Sequence, residues 1–240
     1  MMRGKSGLQK LPSHHQLNQQ RKTPALHPCF GILHMKLSLL MLIAVIFTSP
    51  LARAADAQLT AVNPQLVAAR TAYFKGVEGD TAATTQARHL FETLRAQYPA
   101  SPLVEAYEGS LDLLESGRSL RLWAKHDLAQ RGLDRIDKAV ADAPEDLEVR
   151  FIRAVTTWHL PFFFRRRQQA EDDFSLIAPR VESAAQQRQL PPFIAAAALD
   201  YHGQILAGHS NNTAAQSAFR AAIRIAPESP AAKEAARYLR

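Results

Sequence analysis

The ionisable side chains are scattered along the sequence in a way that does not favour a catalytic centre. Histidine is the side chain best suited to acid–base chemistry near neutral pH. Five histidines follow the first 55 residues: His89, His126, His159, His202 and His209. None lies four residues from a second histidine or shares a clear helix face with a carboxylate. The motifs G-x-S-x-G, H-E-x-x-H, G-x-x-x-x-G-K-S/T and G-x-G-x-x-G do not occur. We therefore expect a protein that is not an enzyme, with no catalytic, cofactor-binding or metal-binding residues. The alternative is a hydrolase, which would need at least two histidines or carboxylates to meet in a cleft.

A run of charge follows residue 164. Three arginines precede Glu171, Asp172 and Asp173, and Arg167 stands four residues before Glu171. Opposite charges at that spacing are neighbours on a helix surface. The pattern predicts a solvated helix face with an Arg167–Glu171 pair.

Two segments combine aromatic and basic side chains, which are enriched at binding hot spots. The first, residues 116–126, holds a tryptophan among basic residues, and the second, residues 159–167, holds three phenylalanines followed by three arginines. Three consecutive aromatics cannot share one helix stripe, so we expect at least one to be exposed. The partner-binding candidates are Trp123, Phe162, Phe163, Phe164, Arg165, Arg166 and Arg167. Their partner would be a protein or an anionic lipid surface. Alternatively, the phenylalanines fill the gap left by a longer loop, and the arginines lie outside.

The net charge of +7 is concentrated at the amino terminus. Residues 1–54 carry seven of the 29 basic residues and no acidic one, so 22 basic residues balance 22 acidic residues in the remainder. A nucleic-acid-binding domain needs a basic face, and we expect no nucleic-acid partner. With 240 residues and 47% hydrophobic content, the chain is long and apolar enough for one or two domains.

Residues 35–54 have the order of a secretory signal peptide. Met35 and Lys36 give a positive start, Leu37–Phe47 is almost wholly apolar, and small residues precede a cleavage point between Ala54 and Ala55. The apolar run is shorter than the roughly 20 residues of a membrane-spanning helix. We expect an exported protein, most simply periplasmic after cleavage. The alternative is an uncleaved anchor, and membrane contact is otherwise limited to weak surface binding.

Residues 1–34 are polar and basic, without helical periodicity. We expect them to be disordered, or not translated if synthesis begins at Met35. The single cysteine, Cys29, lies in this segment, so the mature domain over residues 55–240 would have no disulfide and no lipid-bearing cysteine.

The rest of the sequence predicts helices throughout. Apolar residues recur at three and four residues, and three helix starts carry a capping residue before proline: Asn63-Pro64, Ser101-Pro102 and Ser229-Pro230. The predicted helices span residues 64–77, 80–97, 102–116, 120–142, 145–159, 166–178, 192–208, 212–225 and 230–239. Because the connections are short, neighbouring helices should form antiparallel hairpins.

A spacing of small, large apolar, small and proline recurs near the ends of alternate helices. The copies are Ala87-Phe91-Leu94-Pro99, Gly132-Ile136-Ala139-Pro144, Ala170-Phe174-Ile177-Pro179 and Ala215-Phe219-Ala222-Pro227. In the last copy Gly203 precedes Ala215 by twelve residues. The first-helix partners of the second and third copies are Gly109 and Ala154, at longer intervals. This pattern resembles the second half of the tetratricopeptide repeat over roughly residues 65–240.

The resemblance implies antiparallel helix hairpins stacked as a short, all-α solenoid with a polar-faced last helix. It also implies a non-enzymatic scaffold or adaptor in the cell envelope that binds a protein or peptide on its concave face. The alternative function is a periplasmic accessory protein of a transport or envelope-assembly system that binds a small ligand in the superhelical cavity. The sequence does not distinguish the two.

Overall fold

A computed structural model describes Leu59, residues 63–118 and residues 122–240, except for the side chains of residues 122–124. The signal-peptide and amino-terminal predictions, which concern residues 1–54, lie outside this part. In it the chain is entirely helical, with nine α-helices and one short 3-10 helix at Phe162–Phe164. The α-helices are α1 Pro64–Val77, α2 Thr81–Gln97, α3 Pro102–Arg118, α4 Leu122–Asp142, α5 Leu147–Trp158, α6 Arg167–Gln186, α7 Pro192–Gly208, α8 Asn212–Ile225 and α9 Pro230–Tyr238.

The predicted capping residues start their helices. The Asn63 side-chain oxygen accepts from the backbone N–H of Gln65 at 2.9 Å, and the Ser229 hydroxyl accepts from Ala232 at 3.1 Å. Ser101 accepts from the backbone N–H of Val104 at 3.3 Å. Each oxygen satisfies an N–H that has no partner within its helix. These local contacts fix the starts of α1, α3 and α9.

Neighbouring helices pack in four hairpins, α1–α2, α3–α4, α5–α6 and α7–α8, which confirms the predicted fold class. The hairpins stack in chain order through contacts of α2 with α3, α4 with α5 and α6 with α7. The last helix, α9, packs on α7 and α8, burying Ala232 and Ala235 while Lys233 and Arg237 stay exposed. It is the polar-faced end of the stack.

Glycines bring the two helices of a hairpin into close contact. A Cβ at Gly109 of α3 would lie 2.7 Å from the carbonyl oxygen of Gly132 on α4, and a Cβ at Gly132 would lie 2.6 Å from that of Gly109. In the last hairpin, a Cβ at Gly203 would lie 2.5 Å from the ring of Phe219. Ridges of larger side chains would hold these helices apart. The predicted pairing of Gly109 with Gly132 is therefore a real contact, whereas Gly203 packs against Phe219.

The large residues of the recurring spacing are buried in the apolar interior. Phe91, Ile136, Phe174 and Phe219 are each 2% exposed or less. The longer interval in the second hairpin is absorbed mainly by helix length, because α3 runs to Arg118 and α4 begins at Leu122. The predicted repeat thus persists despite the extra residues.

The sequence prediction is wrong about the end of α6. Pro179 was expected to end this helix at residue 178, but the helix continues to Gln186 with the proline inside it. Proline removes one backbone hydrogen bond and crowds the preceding turn. The continuation buries Val181 and Ala184 in the core, and this burial outweighs the local cost of the proline.

Candidate partner-binding surfaces

Helix α7 presents one partly exposed face. Phe193, Ala197, Tyr201 and Gln204 follow one another at spacings of three and four, and none of them is buried. Residues at these spacings are neighbours on a helix. Phe193 is 38% exposed, although it is a large apolar side chain at the edge of the core. This face of α7 is open to contact with another molecule.

Aromatic rings of α1 and α5 extend this face. Phe74 lies edge-on to Phe193 with ring centroids 5.1 Å apart, and Trp158 lies 5.8 Å from Tyr201 in a similar arrangement. His159 also packs against Tyr201 at 5.8 Å. All five rings are at least partly exposed. We call Phe74, Trp158, His159, Phe193 and Tyr201 the aromatic face.

The polar atoms of the aromatic face are paired with each other. The His159 Nε2 and the Tyr201 hydroxyl are 2.8 Å apart. Burial, with a contribution from Asp200, raises the pKa of Tyr201 to about 12, and burial together with Arg167 lowers the pKa of His159. Both groups are therefore uncharged at neutral pH. The contact gives the Tyr201 hydroxyl and the His159 Nε2 a hydrogen-bond partner within the aromatic face.

Arg167 closes one side of the aromatic face. Its guanidinium carbon lies 3.0 Å from the centre of the Trp158 ring, a cation–π contact. The same side chain donates to the Glu171 carboxylate at 3.2 Å, as predicted from their spacing. His209 Nε2 lies 3.3 Å from the other Glu171 oxygen. His209 is exposed and Glu171 is partly buried beside Arg167.

Behind the aromatic face, a buried ion pair joins the first and third hairpins. Arg70 of α1 donates to both carboxylate oxygens of Glu148 on α5, at 2.6 and 2.5 Å, and the Tyr107 hydroxyl of α3 donates to the same carboxylate at 2.7 Å. Burial opposes the charge of Arg70, but Glu148 outweighs burial and raises the pKa of Arg70. The pKa of Tyr107 is raised by burial and by Glu148. This network orients α1, α3 and α5.

A chain of hydroxyls reinforces the same layer. The Tyr73 hydroxyl lies 2.7 Å from the Ser110 Oγ, which lies 2.7 Å from the Thr156 Oγ1. Burial raises the pKa of Tyr73. The first helices of the first three hairpins, α1, α3 and α5, are thus connected by paired polar groups.

The second surface is the connection between α5 and α6. Phe162 and Phe163 are 91% and 65% exposed, whereas Phe164, like Leu160, packs against a small apolar cluster that includes Leu133. The expectation that at least one phenylalanine is exposed is confirmed. We call Phe162 and Phe163 the aromatic tip.

The arginines after the aromatic tip differ from one another. Arg165 is exposed, and its side chain has no ion pair with another described residue. Arg166 donates to Asp137 at 2.7 Å, and Arg167 lies over Trp158. Arg165 and Arg167 are exposed, as a solvated face requires, whereas Arg166 is half-buried against Asp137. Trp123 lies in α4, but its side chain is outside the described part, so its role stays a prediction.

The acidic run after these arginines is not uniformly solvated. Asp172 is exposed and Asp173 is buried, where it accepts from Arg150 at 2.8 Å and from Arg153 at 2.7 and 2.9 Å. The sequence prediction is wrong for Asp173 because both arginines come from the preceding helix, α5. Spacing within one helix could not identify them.

Two further polar atoms of α7 are buried and lack a hydrogen-bond partner in the described part of the chain: Asp200 Oδ1 and His202 Nδ1. The other Asp200 oxygen accepts from Gln204 at 3.0 Å. Burial is the main reason that the pKa of Asp200 is raised to about 7, and it also lowers the pKa of His202. Residues two apart on a helix do not face each other, so these groups do not form an acid–base pair.

Metal-binding clusters, membrane-spanning helices and matches to known proteins give no further assignment of function. Among the described residues, no three histidine, cysteine or acidic side chains are grouped to hold a metal ion. Within the same residues, no helix has the length and apolar character to cross a membrane. No family model, curated protein or solved structure matches the chain.

The sequence prediction found the aromatic tip and missed the aromatic face. The tip is visible as a local run of phenylalanines. The face is assembled from three helices, and its only local signal is the eight-residue interval between Phe193 and Tyr201, which places them on one side of α7. That interval could have been recognised from the sequence, whereas the contributions of Phe74 and Trp158 could not.

Proposed function

We propose that the chain is a non-enzymatic exported scaffold or adaptor of the cell envelope, and that it binds a protein or peptide partner on the aromatic face. The observation that carries this proposal is a set of five partly exposed rings from α1, the end of α5 and α7. Phe74 contacts Phe193, and Trp158 and His159 contact Tyr201. Large apolar side chains that stay exposed in a contiguous group are typical of interaction sites. Aromatic side chains also provide much of the binding energy of protein interfaces.

The rigidity of the support favours binding by this face. The Arg70–Glu148–Tyr107 network and the Tyr73–Ser110 contact hold the first helices from behind. A preorganised surface loses little side-chain and backbone entropy when a partner binds. The alternative is a periplasmic accessory protein of a transport or envelope-assembly system that binds a small ligand in the superhelical cavity. It has less support, because the buried polar groups of α1, α3 and α5 bond to one another.

Site-specific photocrosslinking tests the proposal. A benzophenone amino acid would replace Phe193 or Tyr201 in the full chain, and Leu176 of α6, which is 43% exposed, is the matched control. We expect crosslinks to one defined protein from the aromatic face and none from position 176. Crosslinks that are equal at all three positions would contradict a specific interface.

A further inference from the structure

The aromatic tip is a rigid projection. Pro161 precedes the 3-10 helix, the backbone N–H of Phe164 donates to the Pro161 carbonyl at 3.0 Å, and that of Arg165 donates to the Phe162 carbonyl at 3.0 Å. The Phe164 side chain anchors this turn in the apolar cluster formed with α3 and α4. The rings of Phe162 and Phe163 contact each other edge-on, 5.9 Å apart. The fold thus holds two phenylalanines in the solvent without needing them for its core.

The charge beside the tip is positive. Among residues 159–170 there are three arginines and no acidic residue. Asp137 and Glu171 pair with Arg166 and Arg167, at 2.7 and 3.2 Å. Arg165, which follows Phe164, is exposed and has no ion pair with another described residue. An anionic partner surface is therefore electrostatically complementary to the tip.

The shape of the tip favours a lipid surface over a protein. An exposed fraction of 91% at Phe162 means that almost no neighbouring atoms surround this ring. A stable protein interface buries about 800 Å² on each partner, and two projecting rings provide only a small part of that area. Aromatic rings with adjacent basic residues suit the boundary between headgroups and acyl chains, where the rings leave water and the cations meet lipid phosphates.

We propose that the aromatic tip docks on the surface of an anionic lipid bilayer, with Phe162 and Phe163 inserted at the headgroup level and Arg165 bound to lipid phosphate. The proposed contact is weak and reversible, because it consists of two rings and one cation that has no ion pair with another described residue. It would orient the scaffold on the membrane while the aromatic face, which is formed by other residues, stays available to a partner. The inference does not depend on the function proposed for the aromatic face.

A local fluorescence measurement reports contact at the tip itself, and a second label at position 176 reports binding of the chain through its apolar amino-terminal segment. The single cysteine would be removed by Cys29→Ser in the full chain, and Phe163→Cys would carry a bimane label. Vesicles of phosphatidylcholine and phosphatidylglycerol in equal parts are the probe, and pure phosphatidylcholine vesicles are the lipid control. We expect the bimane emission to shift to the blue only with the anionic vesicles. A label at Leu176→Cys should not shift.

A substitution that removes the charge of Arg165 provides a second test of the lipid contact. Arg165→Asn removes the cation and keeps a residue type that tolerates the left-handed backbone of this position, where φ is 55°. We expect the apparent vesicle affinity to fall about fivefold, as for the loss of one basic residue near an anionic surface. Three outcomes would overturn the proposal. They are no shift of the bimane emission with anionic vesicles, an equal shift of the label at position 176, and a shift that occurs with a protein in the absence of lipid.

Discussion

The Asp200 carboxyl group lies in an environment that is unfavourable for its charge. The residue is 4% exposed, one oxygen has no partner in the described part of the chain, and Glu234 of α9 adds a negative charge nearby. The pKa is raised from 3.8 to about 7. The folded protein therefore keeps a proton on Asp200 at pH values where the unfolded chain has lost it.

The raised pKa of Asp200 predicts a specific pH dependence of the free energy of unfolding. Because the pKa of this carboxyl group is higher in the folded state, its contribution to the free energy of unfolding is fully present below about pH 4. That contribution is lost as the pH rises to about 7. The upper limit of the loss is about 4 kcal/mol. Asp200→Asn should remove it, so the variant should gain free energy of unfolding relative to the natural chain at pH 8 and not at pH 4. Denaturation at both pH values provides the measurement, with the exposed Asp172→Asn as control. Parallel pH profiles for the natural chain and Asp200→Asn would contradict the assignment.

The close approach of α3 and α4 depends on single glycines. Gly109→Ala would place a Cβ against the Gly132 carbonyl, and we expect a loss of about 1–3 kcal/mol in the free energy of unfolding. Gly117 is the matched control in the same helix, since a Cβ there would meet no atom within 4 Å. Gly117→Ala should be neutral or stabilising. Urea titration of both variants decides the matter, and equal effects would mean that α3 and α4 are paired in another register.

At the scale of elements, the helices could be predicted because their signals are local. A capping side chain such as Asn63 and the proline after it act within one turn. The continuation of α6 beyond Pro179 could not be predicted, because the gain comes from burying Val181 against other helices. For the same reason the burial of Asp173 could not be predicted, because its arginine partners lie on α5. Local sequence thus determines where most helices begin, and tertiary packing determines where α6 ends.

The connection between α5 and α6 contains one anchoring phenylalanine and two exposed ones, and its variants should differ accordingly. Phe164→Ala should cost about 2–3 kcal/mol, at or below the low end of the range for buried phenylalanines, because Phe164 is only partly buried. Phe163→Ala should cost less than about 0.5 kcal/mol, because most of its ring is already in water. Thermal and urea denaturation of the two variants provide the comparison. A large cost at Phe163 would show that the tip fills a gap in the fold.

At the scale of the whole molecule, the Arg70–Glu148 pair connects helices of the first and third hairpins. Both side chains are almost completely buried. Glu148→Ala would leave the arginine charge uncompensated, and we expect a loss of about 3–5 kcal/mol. The exposed pair between Arg224 and Glu182 is the control, and Glu182→Ala should cost less than about 1 kcal/mol. Similar costs for both variants, measured by denaturant unfolding, would show that the buried network does not hold the stack together.

The most direct test of the aromatic face as a binding surface compares the affinity and the stability of the same variant. Phe193→Ser removes an aromatic ring that is partly exposed, and Leu176→Ser is the control on α6. For the partner identified by crosslinking, we expect Phe193→Ser to weaken the affinity by about tenfold or more, as at an interface hot spot. Its melting temperature should stay close to that of the control. An unchanged affinity per folded molecule, with a stability loss confined to Phe193→Ser, would show that this ring serves the fold and would contradict the proposed binding surface.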